Sequence, residues 1–377
     1  MIITSTVLGL AGTDLVLPAV PTLPTALGGS VALSQMVLAT FVAGGACGLL
    51  LFGALGASLD QRWLMIAAMV GYGLVSLLAT QVDALGELVA LRFAQGLFSA
   101  APAVFAPGII RVMFDERGAI KAIGILSSIE SLTPALAPIA GVWLLHVAGW
   151  QASFSVIAVL AAVLSVVLIL LRSRIPNVHP TRQGAGYVSL LANAVFMRYA
   201  LSQALTLGAL LVFVFGAPAV ITLTMGGTLT HFIIMQVCGI ATFIIGASSA
   251  ERFVGRFGAE TMIWFGSTLS LLGIVLITGY ALLGFNDPRW LALLFVPMNF
   301  GLGLRGPPGF LSAVLAADGD DARGSALVIL FVLLVTAGGT AFAAPLVDDG
   351  LRALALVSVG LSALSLLVLW VLPKRNV

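Results

Sequence analysis

Apolar runs of about twenty residues follow one another along the chain, and short polar gaps separate them. A helix needs roughly 20 apolar residues to cross the hydrocarbon core of a bilayer, so each run predicts one membrane-spanning helix. Twelve runs have this character, at about residues 1–22, 33–54, 63–80, 87–110, 119–146, 153–171, 197–222, 230–250, 261–284, 290–315, 324–346 and 352–372. The pattern therefore predicts an all-α polytopic membrane protein with twelve transmembrane helices.

The runs fall into two sets of six, separated by the longest polar stretch of the chain, from Arg172 to about Val195. Internal similarity accompanies this division, because DERGA at 115–119 follows the fourth run and DARGS at 321–325 follows the tenth. Two sets of six helices with an echoed loop are typical of a duplicated transporter fold. We predict two pseudo-symmetric six-helix bundles, at 1–172 and 197–377, joined by a cytoplasmic linker at 173–196.

The composition agrees with a membrane location. Hydrophobic residues make up 60% of the chain and charged residues 8%, whereas about 25% of residues are charged in soluble proteins. The net charge of +2 and the lack of a basic tract argue against a nucleic-acid partner. Cys47 and Cys238 both fall inside apolar runs, so no disulfide framework is expected. We expect a monomer whose surroundings are the lipid bilayer.

Positive charges predict the orientation of the chain, because Lys and Arg accumulate in cytoplasmic loops. With a cytoplasmic N-terminus, thirteen of these residues lie on the inner side, and only Arg289 and Arg352 lie on the outer side. The inner set is Arg62, Arg111, Arg117, Lys121, Arg172, Arg174, Arg182, Arg198, Arg252, Arg256, Arg323, Lys374 and Arg375. We therefore predict a multi-pass protein of the inner (plasma) membrane with both termini in the cytoplasm.

Four stretches of the first half carry recognisable motifs: TDLVLPAVP at 13–21, LRFAQG at 91–96, PALAPIAG at 134–141 and GWQASF at 149–154. As an ordered set they resemble the major facilitator superfamily, and within it the drug:proton antiporters of the Bcr/CflA kind. The resemblance implies alternating access, a central cavity lined by the first, fourth, seventh and tenth helices, and proton coupling through Arg92. It also implies a conformational role for the other motif residues, which are Gln95, Gly96, Pro134, Pro138 and Gly141.

The loop at 53–62 departs from the family pattern. Family members carry an acid and an Arg at the positions that Ala57 and Ser58 occupy here, although Gly53 and Arg62 match. The resemblance assigns this loop to the latch of the inner gate. Two of the charges that such a latch carries are therefore missing here, and the sequence does not predict their effect on gating.

Four charged residues lie inside predicted spans: Asp14, Arg92, Glu130 and Arg305. An ionised side chain at mid-bilayer costs roughly 2.5–3.5 kcal/mol, so such residues usually face a cavity, pair or titrate. Asp14 and Arg92 lie at similar depths, which leaves two interpretations. One is a proton-coupling pair in which Asp14 gains and loses a proton, and the other is a fixed ion pair that joins two helices.

Glu130 and Arg305 lie near the midplane in opposite halves, where such folds place the substrate. Glu130 is a candidate second proton carrier or a counter-charge for a cationic solute. Arg305 keeps its proton, so it would bind a carboxylate or phosphate, or neutralise Glu130 in a bridge between the halves. Asn299 and Gln203 are weaker candidates for substrate binding.

Proline and glycine predict two irregular helices. The segment 303–309 is rich in both residues and predicts a break or kink in the tenth span. Pro134 and Pro138 predict a bend in the fifth span, which would serve as a hinge.

A metal site is the competing hypothesis. His231, Met235 and Cys238, at i, i+4 and i+7, share a helix face, and their soft ligand atoms suit Cu(I). The His-x-x-x-Met part resembles copper-importing members of the same superfamily, but the preceding span lacks the Met-x-x-x-Met expected beside it. A lone interfacial His with apolar neighbours is the simpler interpretation.

The combined prediction is a proton-coupled secondary transporter that exports a small organic solute, such as a drug or metabolite. An importer of copper, another soft metal or a small nutrient is the alternative, and a nontransporting receptor or scaffold is a third class. The chain has no phosphate-binding Gly-Lys-Ser/Thr loop and no recognisable catalytic dyad. We therefore expect neither an ATP-driven pump nor an enzyme, and no resident cofactor.

Overall fold

The computed structural model describes residues 1–176, 178 and 186–375. Part of the predicted linker, including Arg182, lies outside these residues. Within them every regular element is a helix, so the predicted all-α class is confirmed.

The helices follow the predicted spans in order. The α-helices of the described residues are α1 (Ile2–Asp14), α2 (Leu23–Leu27), α3 (Val31–Gly56), α4 (Gln61–Ala79), α5 (Leu85–Met113), α6 (Glu116–Ala148), α7 (Gln151–Leu170), α8 (Tyr187–Ala192), α9 (Ala194–Ala219), α10 (Leu229–Phe257), α11 (Ala259–Leu282), α12 (Leu291–Leu294), α13 (Val296–Leu315), α14 (Asp321–Ala343) and α15 (Leu351–Val371). Helices α2, α8 and α12 are short, and the others correspond one by one to the predicted spans. Eleven segments of the described residues are long and apolar enough to cross a membrane.

Helix α13 is the predicted span that is absent from those eleven, because its Gly, Pro, Asn299 and Arg305 residues lower its mean hydropathy. Its 20 residues still give a length of about 30 Å, which is enough to cross a bilayer. Fifteen of them are buried, so protein rather than lipid surrounds most of the helix. A helix enclosed in this way can carry polar residues that a lipid-facing helix cannot.

The break predicted at 303–309 is wrong, because α13 continues through Pro307 and Pro308. The alternative predicted there, a kink, stays a prediction. Close packing holds the helix: a Cβ atom on Gly303 would collide with the carbonyl oxygen of Phe243 in α10. Such tertiary contacts offset the roughly 3 kcal/mol that a proline costs in a helix interior.

The first predicted span is not one continuous α-helix, which corrects the run predicted at 1–22. Helix α1 ends at Asp14, and the chain continues as a 3₁₀ helix over Leu17–Thr22 before α2 begins. Pro18 and Pro21 have no N–H group to donate to the carbonyl four residues back, so the α-helical pattern is interrupted. Asp14 therefore lies at the joint between two kinds of helix.

By packing, the chain forms two compact units. The first consists of Met1–Met113, Ile129–Gly186 and Asp318–Ala326, and the second consists of Phe114–Ser128, Tyr187–Ala317 and Leu327–Val377. Each unit thus includes a short segment from the other half of the sequence. The predicted boundaries at 1–172, 173–196 and 197–377 stay a prediction.

The same helix packing recurs in each unit taken by itself. In the first unit, α5 packs against α1, α3 and α4, and α4 packs against α7. In the second unit, α13 packs against α9, α10 and α11, and α11 packs against α15. Counted as spans, the fourth contacts the first three and the tenth contacts the seventh, eighth and ninth. This repetition supports the duplication that the sequence predicts.

Candidate functional site

Arg92, on α5, has no exposed surface. Its Nε donates to the carbonyl oxygen of Val37 in α3 at 3.0 Å, and its Nη1 donates to the carbonyl oxygen of Gly12 in α1 at 3.1 Å. Nη1 also donates to Gln95 Oε1 at 3.1 Å. The guanidinium carbon lies 4.1 Å from the centre of the Phe41 ring, within cation–π range. Arg92 therefore joins α5 to the backbones of α1 and α3.

The other residues of the fourth-span motif extend this polar cluster. Gln95 Nε2 donates to Ser76 Oγ in α4 at 2.7 Å. Gly96 lies so close to the carbonyl oxygen of Phe41 in α3 that a Cβ atom would not fit. The LRFAQG motif thus gives α5 a specific contact with each of α1, α3 and α4. We expect substitutions in it to affect packing as well as mechanism.

Asp14 is half-buried at the end of α1, and no ion pair joins it to Arg92 within the described residues. The predicted pair is therefore not formed in this conformation. The guanidinium reaches the backbone of Gly12, two residues earlier, instead of the Asp14 carboxylate. Arg92 Nη2 is buried and has no partner in the described part of the chain.

Gly141 and Ser153 contact the joint at which Asp14 lies. A Cβ atom on Gly141, in α6, would collide with the carbonyl oxygen of Leu15. Ser153 Oγ, in α7, donates to the same oxygen at 2.9 Å. The backbone directly after Asp14 is therefore held by α6 and α7, and Arg92 holds the backbone two residues before it.

Glu130 lies in α6 and is half-buried. Across the described ranges, no hydrogen bond or ion pair holds its carboxylate. Like Asp14, Glu130 is therefore an acid in a membrane helix whose carboxylate has no basic side chain as a partner in the described part of the chain. Pro134 and Pro138 follow it within a continuous helix, and the predicted bend stays a prediction.

Arg305, on α13, also has no exposed surface. Its Nη1 donates to the carbonyl oxygen of Ser202 at 2.6 Å and to Thr206 Oγ1 at 2.7 Å, and its Nη2 donates to Ser202 Oγ at 3.1 Å. Ser365 Oγ of α15 lies 2.7 Å from Thr206 Oγ1 and donates to the Ser202 carbonyl oxygen at 3.0 Å. The guanidinium thus joins α13 to α9 within one unit. Its predicted contact with a solute stays a prediction.

The two weaker candidates, Gln203 and Asn299, are both buried in this unit. Gln203 is 6% exposed, and its Oε1 has no partner among the described residues. A Cβ atom on Gly309 would lie 2.9 Å from that oxygen and 3.0 Å from Arg305 Nη2, so the two side chains meet at one glycine. Asn299 is 5% exposed and donates to the Phe295 carbonyl oxygen of its own helix at 2.9 Å.

The residues of the metal hypothesis have other contacts or surroundings in this structure. His231 Nδ1 lies 3.1 Å from both the backbone nitrogen and Oγ1 of Thr228, where it caps the start of α10. Met235 is fully buried and belongs to the apolar core cluster of the second unit, and Cys238 is half-buried. Within the described residues, no group of three or more His, Cys, Asp or Glu side chains could hold a metal ion.

The charged residues that remain in the loop at 53–62, Asp60 and Arg62, pair with each other. Arg62 Nη2 lies 2.6 Å from Asp60 Oδ2, and Gln61 Nε2 donates to the Gly56 carbonyl oxygen at 3.1 Å. Gly53 is buried within α3. The loop therefore keeps its own fold without the acid that the family carries at position 57.

Sequence reasoning missed one buried ion pair of the first unit. Arg111 Nε, near the end of α5, lies 2.7 Å from Asp321 Oδ2 at the start of α14, and the Asp321 side chain is only 1% exposed. A Cβ atom on Gly108 would lie 3.1 Å from Asp321 Cβ, so a glycine makes room for the acid. The DARGS repeat at 321–325 was the available signal.

The sequence profile of the Major Facilitator Superfamily matches residues 2–343. The chain belongs to this superfamily. A bicyclomycin resistance protein homolog of Haemophilus influenzae is 28% identical over 258 residues, which are 67% of this chain and 65% of that protein. The multidrug transporter MdfA of Yersinia pestis bv. Antiqua is 25% identical over 274 residues, which are 71% of this chain and 66% of that protein. The chain thus spans just under two thirds of the length of these relatives.

The fold is that of solved members of the superfamily. The crystal structure of FucP, a transporter of the superfamily in the outward conformation, has a TM-score of 0.76 to this chain at 13% identity. The likeness covers 98% of this chain and 97% of FucP. The predicted family and fold are confirmed, and membership in a family of membrane transporters agrees with the prediction that the chain is not an enzyme.

Gly96→Ala should destabilise the protein by about 1–3 kcal/mol, because its methyl group would collide with the Phe41 carbonyl oxygen. Gly86→Ala is a matched control in the same helix, because no atom lies within 4 Å of a Cβ atom there. Thermal unfolding of the purified variants in detergent would measure the difference. Equal melting temperatures for the two variants would contradict the close helix contact.

Arg305→Lys should lower the free energy of unfolding by about 2–3 kcal/mol, because one ammonium group cannot reproduce the guanidinium hydrogen bonds to Ser202 and Thr206. Arg289→Lys serves as the control, since the Arg289 side chain is 80% exposed. The same thermal unfolding assay applies. An unchanged melting temperature for Arg305→Lys would argue against a structural role.

Proposed function

We propose that this protein is a proton-coupled secondary transporter that exports a small organic compound across the inner membrane. One observation carries the proposal: Asp14 and Glu130, acids within the first and fifth spans, are half-buried and have no hydrogen-bond or ion-pair partner in the described part of the chain. Arg92 and Arg305, in contrast, donate to fixed oxygens of neighbouring helices. We therefore assign proton movement to the two acids and helix positioning to the two arginines.

The protonation state of an unpartnered carboxyl group in a membrane helix depends on whether water or a cationic solute reaches the group. While the group is shielded from water the neutral acid is favoured, and water or a cationic solute favours the carboxylate. Exchange between these states at Asp14 and Glu130 would let protons move in one direction and a solute in the other. Glu130 is the acid that we propose to meet a cationic solute directly.

The surroundings of Asp14 support coupling between proton binding and helix movement. The carbonyl oxygen of Gly12 accepts from Arg92 of α5, and the carbonyl oxygen of Leu15 accepts from Ser153 of α7 and contacts Gly141 of α6. A change of charge at Asp14 therefore acts on a helical joint that three other helices contact. We propose that this joint transmits the protonation state of Asp14 to the helices that open and close.

The relatives support the solute class and the direction of transport. Their names refer to bicyclomycin resistance and to multidrug transport, both of which suit an exporter of organic compounds. No specific observation favours import of copper, because the proposed ligands His231 and Met235 are engaged in capping and core packing. Protons, one small-molecule solute and lipid are the partners of this proposal, and we expect a monomer.

Asp14→Asn and Glu130→Gln should each reduce pH-gradient-driven transport at least tenfold and leave the fold intact, because neither amide can carry a proton. Proteoliposomes with an imposed pH gradient would measure it, using a solute chosen by thermal-shift screening that starts from bicyclomycin. Asp83→Asn and Glu87→Gln are matched controls, since both acids are exposed at the start of the fourth span. Normal gradient-driven flux in the Asp14 and Glu130 variants would exclude both acids from coupling.

Alkaline phosphatase fused after Phe285, in a predicted outer loop, should be active, and the same enzyme fused after Arg256 should be inactive. The reason is that 13 of the assigned positive charges lie on the side that we propose to be cytoplasmic. Activity measured in intact cells tests the orientation of both termini. The reverse pattern of activities would invert the proposed topology.

A further inference from the structure

A basic pocket lies in the second unit, where the start of α6 meets the end of α10. Its volume is about 450 Å³, and its lining consists of Arg117, Glu251, Arg252, Gly255 and Arg256. Three arginines and one glutamate give this lining an excess of positive charge. The proton-coupling residues proposed above lie elsewhere, so the pocket is free to serve another purpose.

The three arginines are not neutralised by the protein. Arg117 Nη2 donates to the carbonyl oxygen of Gly255 at 2.7 Å, which fixes its guanidinium at the pocket without cancelling its charge. Arg252 and Arg256, four residues apart, lie on the same face of α10, and both are exposed. No ion pair involves any of the three in the part of the chain that the structure describes. The pocket therefore presents unused N–H donors to an anion.

Aromatic side chains alternate with these arginines along α10. Phe253 is 37% exposed and Phe257 is 47% exposed, and their rings stack with centres 6.5 Å apart. The guanidinium carbon of Arg256 lies 5.3 Å from the centre of the Phe257 ring. Exposed phenylalanine rings beside basic residues suit a membrane surface, because the rings can enter the acyl boundary while the arginines stay at the headgroups. A soluble anion would make no use of these two rings, whereas acyl chains would cover them.

We propose that this pocket binds the phosphate group of an anionic phospholipid, with Arg252 and Arg256 on the headgroup and Phe253 and Phe257 against its acyl chains. The positive-inside count places both helix ends on the cytoplasmic side, where anionic lipids attract basic residues next to spanning helices. Arg117 completes the cationic wall, and Glu251 is the acid that limits affinity for the headgroup.

The test uses the full chain, purified in detergent and titrated with phosphatidylglycerol, with phosphatidylethanolamine and with inorganic phosphate in parallel. The readouts are lipid adducts in native mass spectrometry and the shift in melting temperature. Phosphatidylglycerol should bind and stabilise, phosphatidylethanolamine should bind at least tenfold more weakly, and phosphate should have no effect. Equal binding of the two lipids, or the same stabilisation by phosphate alone, would overturn the lipid assignment.

Variants locate the site. Arg252→Gln and Arg256→Gln should each weaken phosphatidylglycerol binding about fivefold, because each basic residue near a membrane surface adds a similar increment of affinity. Arg352→Gln is the matched control, because Arg352 is exposed and lies on the predicted outer side. An equal loss in the control would show non-specific charge attraction and overturn the proposal.

Glu251→Gln is a second test of the same pocket, and it does not require the arginine variants to fold. Removal of the pocket's acid should strengthen phosphatidylglycerol binding, by about the fivefold that one arginine contributes. Unchanged or weaker binding would contradict the assigned pocket. Neither measurement depends on transport, so failure of this proposal and failure of the proposed proton coupling are distinguishable.

Discussion

A positive charge buried in a membrane protein is tolerated only when its N–H groups find acceptors, and this requirement organises both units. Arg92 and Arg305 have no exposed surface, and none of the ion pairs among the described residues includes them. Their acceptors include backbone oxygens of Gly12, Val37 and Ser202. A helical carbonyl oxygen keeps a second lone pair after accepting its own helical bond, so it can accept such a bond without breaking its helix. Helix α5 is therefore held to α1 and α3, and α13 is held to α9.

The arginines and the acids of the spans consequently differ in their contacts. Each guanidinium already has its contacts within one unit, which supports the proposal that it positions helices. The carboxyl groups of Asp14 and Glu130 have no such contacts in the described part of the chain, and a proton is the partner that they can exchange at least cost. This contrast is the physical basis for the proposal that the acids carry the coupled proton. In that proposal the hydrogen bond from Arg92 to the Gly12 carbonyl oxygen links the arginine to Asp14 through the backbone of α1.

The sequence predicts the spans, because one bilayer thickness applies to every helix that crosses it. It also predicts depth, which is why Asp14 and Arg92 are expected to be near one another. The direction of a side chain does not follow from depth: Arg92 reaches Gly12, two residues before the acid. Composition likewise predicts a break in α13 but gives no information on its enclosure by neighbouring helices. The end of α1 at Asp14 follows from Pro18 and Pro21 in the segment after it, a signal that the hydropathy pattern alone does not show.

The two related loops show how a duplicated sequence keeps its packing and changes its chemistry. In the segment at 115–119, Arg117 donates to the end of α10, whereas in the segment at 321–325, Asp321 accepts from Arg111 at the end of α5. Each contact joins the start of one helix to the end of another. The first contact uses the arginine of the repeated segment, Arg117, and the second uses its aspartate, Asp321. The loop at 53–62 lacks an acid at position 57, and a Cβ atom on Gly56 would lie 3.0 Å from the methyl group of Ala322. Asp321, which pairs with Arg111, therefore lies at the start of α14 next to Ala322, the residue that approaches Gly56.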